Sequence, residues 1–216
     1  MASKEIIEKE RRVREFMAAQ GLDGVLLSRR DSFSWFTGGR QNYVVMGTDA
    51  GFASVLVTRD AKYVITTNIE AGRVADEEVA GQGFAKIVGV DWFVAGAREK
   101  ALAELCSGKV ASDDGTPGTA ALPASFADLR ASLTDAEVAR YRALGMDCGV
   151  ALAEVTAGVT PGETEASIAG RMAHACLDLG ILPHVVLVAA DDRIRKYRHP
   201  IFTSARVHTY AMVVLC

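Results

Sequence analysis

Residues 159–172 read VTPGETEASIAGRM, and this stretch separates two helical patterns. Pro161 lacks an amide donor and Gly162 favours turn conformations, so the preceding helix cannot continue through them. The hydroxyl of Thr164 can accept a hydrogen bond at the start of a new helix. The stretch therefore predicts a helix, a turn and a second helix that runs towards Gly180.

The sequence on either side of this turn predicts an α+β unit. The preceding helix begins at a capping box formed by Thr134 and Glu137. After Gly180, two apolar stretches at 184–192 and 209–216 have the composition of strands. No sequence follows the second strand to pair with it or cover it, so we expect this unit to be incomplete. Apolar residues lie on about one face of the preceding helix: Val138, Tyr141, Leu144, Cys148, Leu152 and Val155.

The residues before this unit alternate between strand and helix patterns, which predicts an α/β domain with a mixed sheet. The domain opens with an amphipathic helix from Ser3 to Gln20 that Gly21 ends. Asp31 or Ser32 can cap a short aromatic helix. We place this domain at 1–132 and the second unit at 133–216. The later elements are a hairpin at 51–58 and 61–68, strands at 85–90 and 109–114, and helices at 92–106 and near 123–130.

Composition excludes several classes of protein. Half of the residues are apolar, and a net charge of -3 without long charged blocks gives no reason to expect nucleic acid or an anionic membrane as partner. No apolar run approaches the ~20 residues of a membrane helix. The four cysteines are scattered without a CxxC pair, and the charged N-terminus lacks a signal-peptide core. We therefore predict a cytoplasmic protein.

The stretch AADDRIRKYRHP at 189–200 is the strongest candidate for chemistry. His199 follows a strand among carboxylates and guanidinium groups, where an imidazole can transfer a proton or donate to a developing oxyanion. Asp192, Tyr197 and Arg198 are the candidate substrate contacts. The alternative is a surface loop of paired charges with one solvated histidine.

Other chemical candidates have simpler interpretations. His174, His184 and His208 share no metal-ligand spacing and are interpreted as structural. Asp113 and Asp114 precede a glycine and are interpreted as shaping a turn. The aromatic residues of 33–36 can line a substrate mouth, although packing in the core is the default interpretation.

The order of these segments resembles the pita-bread hydrolases, which include Xaa-Pro aminopeptidase, prolidase and creatinase. GLDGVLLSRRDSFSWFTGG at 21–39 is similar to the start of their N-terminal domain. LTDAEVARYRALGMDCGVALAEV at 133–155 is similar to their linker helix, and VTPGETEASIAGRM to the turn that follows it. The resemblance covers nearly the whole chain. It implies a creatinase-like N-terminal domain with a mixed sheet, followed by the first part of a pita-bread catalytic domain.

The resemblance also implies a role for two residues near the end of the sequence. His199 matches the histidine that contacts substrate and stabilises the tetrahedral intermediate in the family's peptidases. Cys216 occupies the position of the first aspartate ligand of a site for two divalent metal ions, such as manganese. Because bridging carboxylates suit hard cations and a thiolate does not, we assign no metal ligand in this chain. We expect residues 1–216 alone to be inactive.

Three functions follow from the resemblance. The first is an Xaa-Pro peptidase that acts on short proline-containing peptides. The second is a metal-free amidinohydrolase like creatinase, with a small amidine as substrate and histidine as the proton-transfer group. The third is a non-catalytic protein that binds a peptide or a partner. The resemblance further implies a homodimer.

Overall fold

The computed structural model describes residues 2–216, which separate into two compact units. The first unit runs to Thr134 and the second begins at Asp135. The sequence places this division between 132 and 133, and the assignment of the two units as domains stays a prediction. Within the described residues, no helix is long and apolar enough to cross a membrane.

The first unit contains a six-stranded mixed sheet in the order β4-β3-β2-β1-β5-β6. The pairs β1–β2 and β2–β3 are antiparallel, while β1–β5, β3–β4 and β5–β6 are parallel. The predicted mixed sheet is therefore confirmed. Its elements are α1 Lys4–Gln20, β1 Gly24–Arg29, α2 Arg30–Phe36, β2 Ala50–Thr58, β3 Lys62–Thr67, α3 Ala71–Arg73 with a π-helical turn Val74–Glu78, β4 Lys86–Val90, α4 Ala97–Leu105, β5 Val110–Ser112, β6 Ala120–Ala121, a 3-10 turn Ala124–Ala127 and α5 Asp128–Ala131.

Helix α1 follows its local sequence signals. The Ser3 side chain accepts a hydrogen bond from the amide of Ile6, and Gly21 ends the helix in the left-handed conformation with φ 61°. Val13 and Met17 lie on its buried face. The prediction of an amphipathic helix that glycine ends is confirmed.

Apolar side chains cover the sheet of the first unit on both faces. Phe33 and Phe36 of α2 are fully buried in the larger cluster, which confirms their interpretation as core residues. The Phe126 ring makes edge contacts with the rings of Phe16 and Trp35, at 5.4 Å and 5.9 Å between centroids. On the other face, Leu56 packs in a second cluster that includes residues of α4.

Two lysines are also buried in the first unit. The ammonium group of Lys9 lies 2.6 Å from a carboxylate oxygen of Glu5 and 2.6 Å from the carbonyl oxygen of Trp35. The ammonium group of Lys62 pairs with Glu10 and lies over the ring of Phe84. Each buried cation therefore has the partner that a buried charge requires.

Several predicted boundaries in the first unit are wrong. Asp31 and Ser32 lie inside the first turn of α2, because β1 runs directly into the helix and Arg29 occupies the cap position. Helix α4 begins at Ala97 instead of residue 92, since Gly96 adopts a left-handed conformation before it. The short strand β6 was not predicted, and the helix near 123–130 is a 3-10 turn followed by α5.

The second unit consists of two long helices, a two-stranded sheet and one short helix, which confirms the predicted α+β class. Strands β7 and β8 are antiparallel. Ile168, Met172 and Cys176 of α7 are fully buried against β7. The apolar face of α6 is buried only in part, since Tyr141 is 63% exposed. The elements are α6 Asp135–Ala157, α7 Glu165–Asp178, β7 Val186–Ala190, α8 Asp192–Lys196 and β8 Ala211–Leu215.

Candidate functional site

The motif TPGETE starts a helix and also pairs with a distant segment. The Thr164 side chain accepts a hydrogen bond from the amide of Ser167, which confirms the predicted helix cap. The backbone around Thr164 forms an antiparallel bridge with Arg206. In this bridge the amide of Glu165 donates to the carbonyl of Ala205 at 2.9 Å. The motif therefore fixes the position of the chain that leads into β8.

The side chain of Glu165 is fully buried and accepts four hydrogen bonds. One carboxylate oxygen accepts from the Ala190 amide at 2.8 Å and from Nε of Arg193 at 2.9 Å. The other accepts from the amide and the hydroxyl of Thr203 at 2.8 Å and 2.7 Å. Glu165 thus connects the end of β7 to a point beyond His199.

Arg193 crosses the base of the same loop. In addition to its bond to Glu165, its Nη2 donates to the carbonyl oxygen of Ile201 at 2.9 Å. Its guanidinium group lies over the ring of Tyr197, 5.2 Å from the centroid. A planar guanidinium can make these directed contacts together, whereas an ammonium group cannot reproduce their geometry.

Asp191 makes a second connection between β7 and the chain before β8. It has φ 49°, a conformation that residues other than glycine rarely adopt. Its carboxylate accepts from the amides of His208 and Thr209 at 2.9 Å each, and from that of Tyr210 at 3.2 Å. These contacts stabilise the unusual backbone conformation at the end of β7.

Both carboxylates are held in their ionised form. Burial raises the pKa of Glu165, but the hydrogen bonds from Thr203 and Ala190, with the charge of Arg193, outweigh it and leave the pKa below its usual value. Hydrogen bonds from the amides of His208 and Thr209 lower the pKa of Asp191. The negative charge of Glu165 therefore binds both ends of the loop that follows β7, and that of Asp191 binds the chain before β8.

The four predicted site residues all lie on this loop and are exposed. Asp192 opens α8, a short helix where the sequence predicts the end of a strand followed by a loop, and Tyr197 is 50% exposed just after it. Within residues 2–216, no hydrogen bond or ion pair engages the His199 side chain. The next residue, Pro200, is buried. Asp192, Tyr197, Arg198 and His199 thus lie on one exposed segment, and their roles stay predictions.

Sequence reasoning missed Glu165, and it included Asp191 and Arg193 in the candidate stretch without assigning either a role in the site. The position of Glu165 offered one signal, because it falls on the face of α7 that also carries Ile168, Ala169 and Met172. A carboxylate on an apolar helix face needs a buried partner. The identity of its partners could not be deduced, since they come from Ala190, Arg193 and Thr203.

The residues interpreted as structural have structural partners. Asp113 accepts from the amide of Ser28 at 2.8 Å, and Asp114 accepts from the amide of Thr116 at 3.0 Å. The turn-shaping interpretation is confirmed for Asp114. His174 is exposed and lies 3.3 Å from a carboxylate oxygen of Asp178.

The donor residues of the described chain do not fit a dinuclear metal centre. Cys216 is exposed at the end of β8, where its amide and carbonyl groups bond to the backbone of Val185 and His184. Residues 2–216 contain no group of three histidine, cysteine, aspartate or glutamate side chains placed to hold a metal ion. A single thiol cannot replace the bridging carboxylates that paired hard cations require.

Comparisons with known proteins agree with this architecture. Residues 10–147 match the family model of the creatinase/prolidase N-terminal domain. An Xaa-Pro dipeptidase from Bacillus anthracis superposes with a TM-score of 0.71 at 18% identity, over 97% of this chain and 60% of that one. A prolidase from Pyrococcus horikoshii gives 0.70 at 16% identity, over 96% and 59%.

An X-Pro aminopeptidase from Thermotoga maritima gives a TM-score of 0.67 at 16% identity, covering 95% of this chain and 59% of that chain. This chain therefore spans about 60% of the length of these solved structures. Comparison with curated protein sequences gives no significant match. The family model covers well over half of the chain, and the protein therefore belongs to the creatinase/prolidase family, whose enzymes have the pita-bread fold.

Proposed function

We propose that the protein is a hydrolase of the Xaa-Pro peptidase group and that His199 contacts the bond to be cleaved in a short proline-containing peptide. The observation that carries the proposal is the position of His199 on an exposed loop whose two ends are bound by the buried carboxylate of Glu165. The similar structures include an Xaa-Pro dipeptidase and prolidases, which supports this substrate class. A homodimer and a cytoplasmic location stay predictions.

The His199 ring has the chemistry that this role requires. An imidazole carries a donor and an acceptor nitrogen, and within residues 2–216 neither is engaged by a hydrogen bond. Its N–H can donate to the carbonyl oxygen of the scissile bond and stabilise the negative charge that develops there. This contact strengthens as the carbonyl becomes tetrahedral, so it contributes to the rate as well as to binding.

The neighbouring side chains can hold the peptide. Tyr197 offers a half-exposed ring against which a proline ring can pack. Arg198 can donate to a peptide carbonyl or carboxylate, and Asp192 can accept from an amino terminus. Since the donor residues described above do not fit a dinuclear metal centre, the proposal is confined to these contacts and to His199.

The test uses the purified full-length protein with a panel of Xaa-Pro dipeptides and tripeptides. Binding is measured by calorimetry and cleavage by chromatography of the products. We expect His199→Ala to reduce the affinity or the cleavage rate at least about tenfold, the size expected when a hydrogen bond to a developing charge is lost. His174→Ala, which removes another exposed histidine of the same unit, should change neither. Equal behaviour of the two variants would reject the role of His199.

A second candidate function is a metal-free amidinohydrolase. Cys216, where the resemblance places the first carboxylate ligand, favours this candidate because its chemistry needs no carboxylate there. Assays with creatine and with Xaa-Pro dipeptides, each with and without added manganese, separate the two. Cleavage of creatine alone would select the amidinohydrolase. Binding of a peptide without cleavage of either substrate would identify a non-catalytic binding protein.

A further inference from the structure

Glu165 is a buried charge that no step of the proposed function uses. Its side chain has no exposed surface, although α7 begins at this residue and could carry an apolar side chain there. Removing a carboxylate from water is costly, and well-packed apolar residues are often as stabilising as a buried ion pair. A carboxylate at such a position can serve to fix one particular local conformation.

The partners of Glu165 show which conformation this is. Ala190 is the last residue of β7, and Thr203 lies beyond His199 on the way to β8. Both donate to the same carboxylate, so residues 191–202 form a loop closed through a side chain. Arg193 adds a second closure inside the first, since it contacts Glu165 on one side and the Ile201 carbonyl on the other.

We propose that Glu165 and Arg193 are positioning residues for His199. They hold the loop in one conformation before substrate arrives, so that the imidazole need not be ordered during binding. Ordering a free loop would reduce the affinity, because each residue that becomes fixed loses conformational entropy. This inference rests on the proposed function of His199 and adds to it the two side chains that fix its position.

The loop itself provides a measurement that does not depend on substrate. Arg195, Lys196 and Arg198 are exposed trypsin sites within it. We expect Glu165→Gln to raise the rate of trypsin cleavage in the loop at least about tenfold, because a hydrogen-bonded charge is removed from its closure. The His199 imidazole resonances should broaden in the same variant.

Glu163→Gln is the matched control. Glu163 belongs to the same motif, but its carboxylate bonds to Arg171 and Ser167 and does not contact the loop. In Glu163→Gln we expect the rate of trypsin cleavage in the loop to stay within about twofold of that of the unaltered protein, because the substitution lies away from the loop closure. Arg193→Lys is the second test variant. It keeps the charge and the trypsin site but loses the paired contacts of the guanidinium with Glu165 and the Ile201 carbonyl.

A readout on peptide binding separates positioning from stability alone. Glu165→Gln should weaken Xaa-Pro dipeptide binding when His199 is present and have no further effect in the His199→Ala background. Circular dichroism checks that each variant is folded, and Arg193→Lys decides the question if Glu165→Gln does not fold. If the folded variants show the same rate of trypsin cleavage in the loop and the same His199 imidazole spectra as the unaltered protein, the inference is overturned. If the unaltered protein binds no peptide, the proposed function fails, while the cleavage comparison still decides whether these residues fix the loop.

Discussion

The two units of the protein keep their main chains in place by different means. In the first unit, a six-stranded sheet has apolar clusters on both faces, with side chains such as Phe33 and Leu27 fully buried. In the second unit, every residue of β8 is only partly buried, and the loop before it is fastened by the carboxylates of Glu165 and Asp191. The sheet of the first unit depends mainly on packing, whereas the loop before β8 depends on ionised groups with directed partners. The two units should therefore respond to different perturbations.

The largest effect should come from a cavity in the first unit. Phe33→Ala removes a fully buried ring, and we expect it to lower the free energy of unfolding by about 3–5 kcal/mol. Both tryptophans, Trp35 and Trp92, belong to the first unit, so their fluorescence during urea unfolding reports on that unit. Amide exchange at 190–210 should stay unchanged. Faster exchange there would show that packing in the first unit also maintains the loop.

A smaller and more local effect should follow from acid. The pKa values of Glu165 and Asp191 are lowered in the folded protein, so the stability they contribute is present above their unfolded values of about 4. It is lost as the pH falls through the lower folded values. We expect amide exchange at 190–210, corrected for its intrinsic pH dependence, to show increasing local opening from about pH 5 downwards.

The Glu165→Gln variant sharpens this test. Its loop should be more open at neutral pH and should show a weaker dependence on pH, because one of the two titrating anchors is absent. An identical pH profile in the variant and the unaltered protein would show that Glu165 does not contribute to the acid response.

The smallest effect should come from the helix cap of the TPGETE motif. Thr164→Ala removes the hydroxyl that accepts from the Ser167 amide, and we expect a loss of about 1 kcal/mol in the second unit. Ser204→Ala is the control, because Ser204 is exposed and its hydroxyl makes no hydrogen bond within residues 2–216. Amide exchange in the first turn of α7 measures the effect. If Thr164→Ala loses no more stability than the Ser204→Ala control, the Thr164 hydroxyl is dispensable.

Local signals account for the parts of the fold that the sequence predicts well. Ser3 and Thr164 accept hydrogen bonds from amides within a few residues, and the Gly21 amide donates to carbonyl groups of the preceding turn, so their roles as caps and stops can be read directly. The start of α2 was missed because the continuation of β1 up to Arg29 decides it. Pairing between strands thus overrides a local capping preference.

The candidate site also has one part that the sequence predicts and one part that it does not. His199 could be selected because its neighbours in the sequence are charged and it follows a strand pattern. The closure around it could not be predicted, since Glu165 meets Ala190 and Thr203 only after the chain folds back. Similarly, the positive φ of Asp191 depends on amides 17 to 19 residues further along the chain.

The bridge between Thr164 and Arg206 has a consequence for the order in which the second unit is made. Contacts between residues far apart in sequence form slowly, because a long segment of chain must first be closed. During synthesis, α7 can form as soon as its residues leave the ribosome, whereas the His199 loop must wait for the partner segment at 203–207. We therefore expect the loop that carries His199 to be among the last parts of the nascent unit to acquire its structure. Until then its basic residues remain open to proteases.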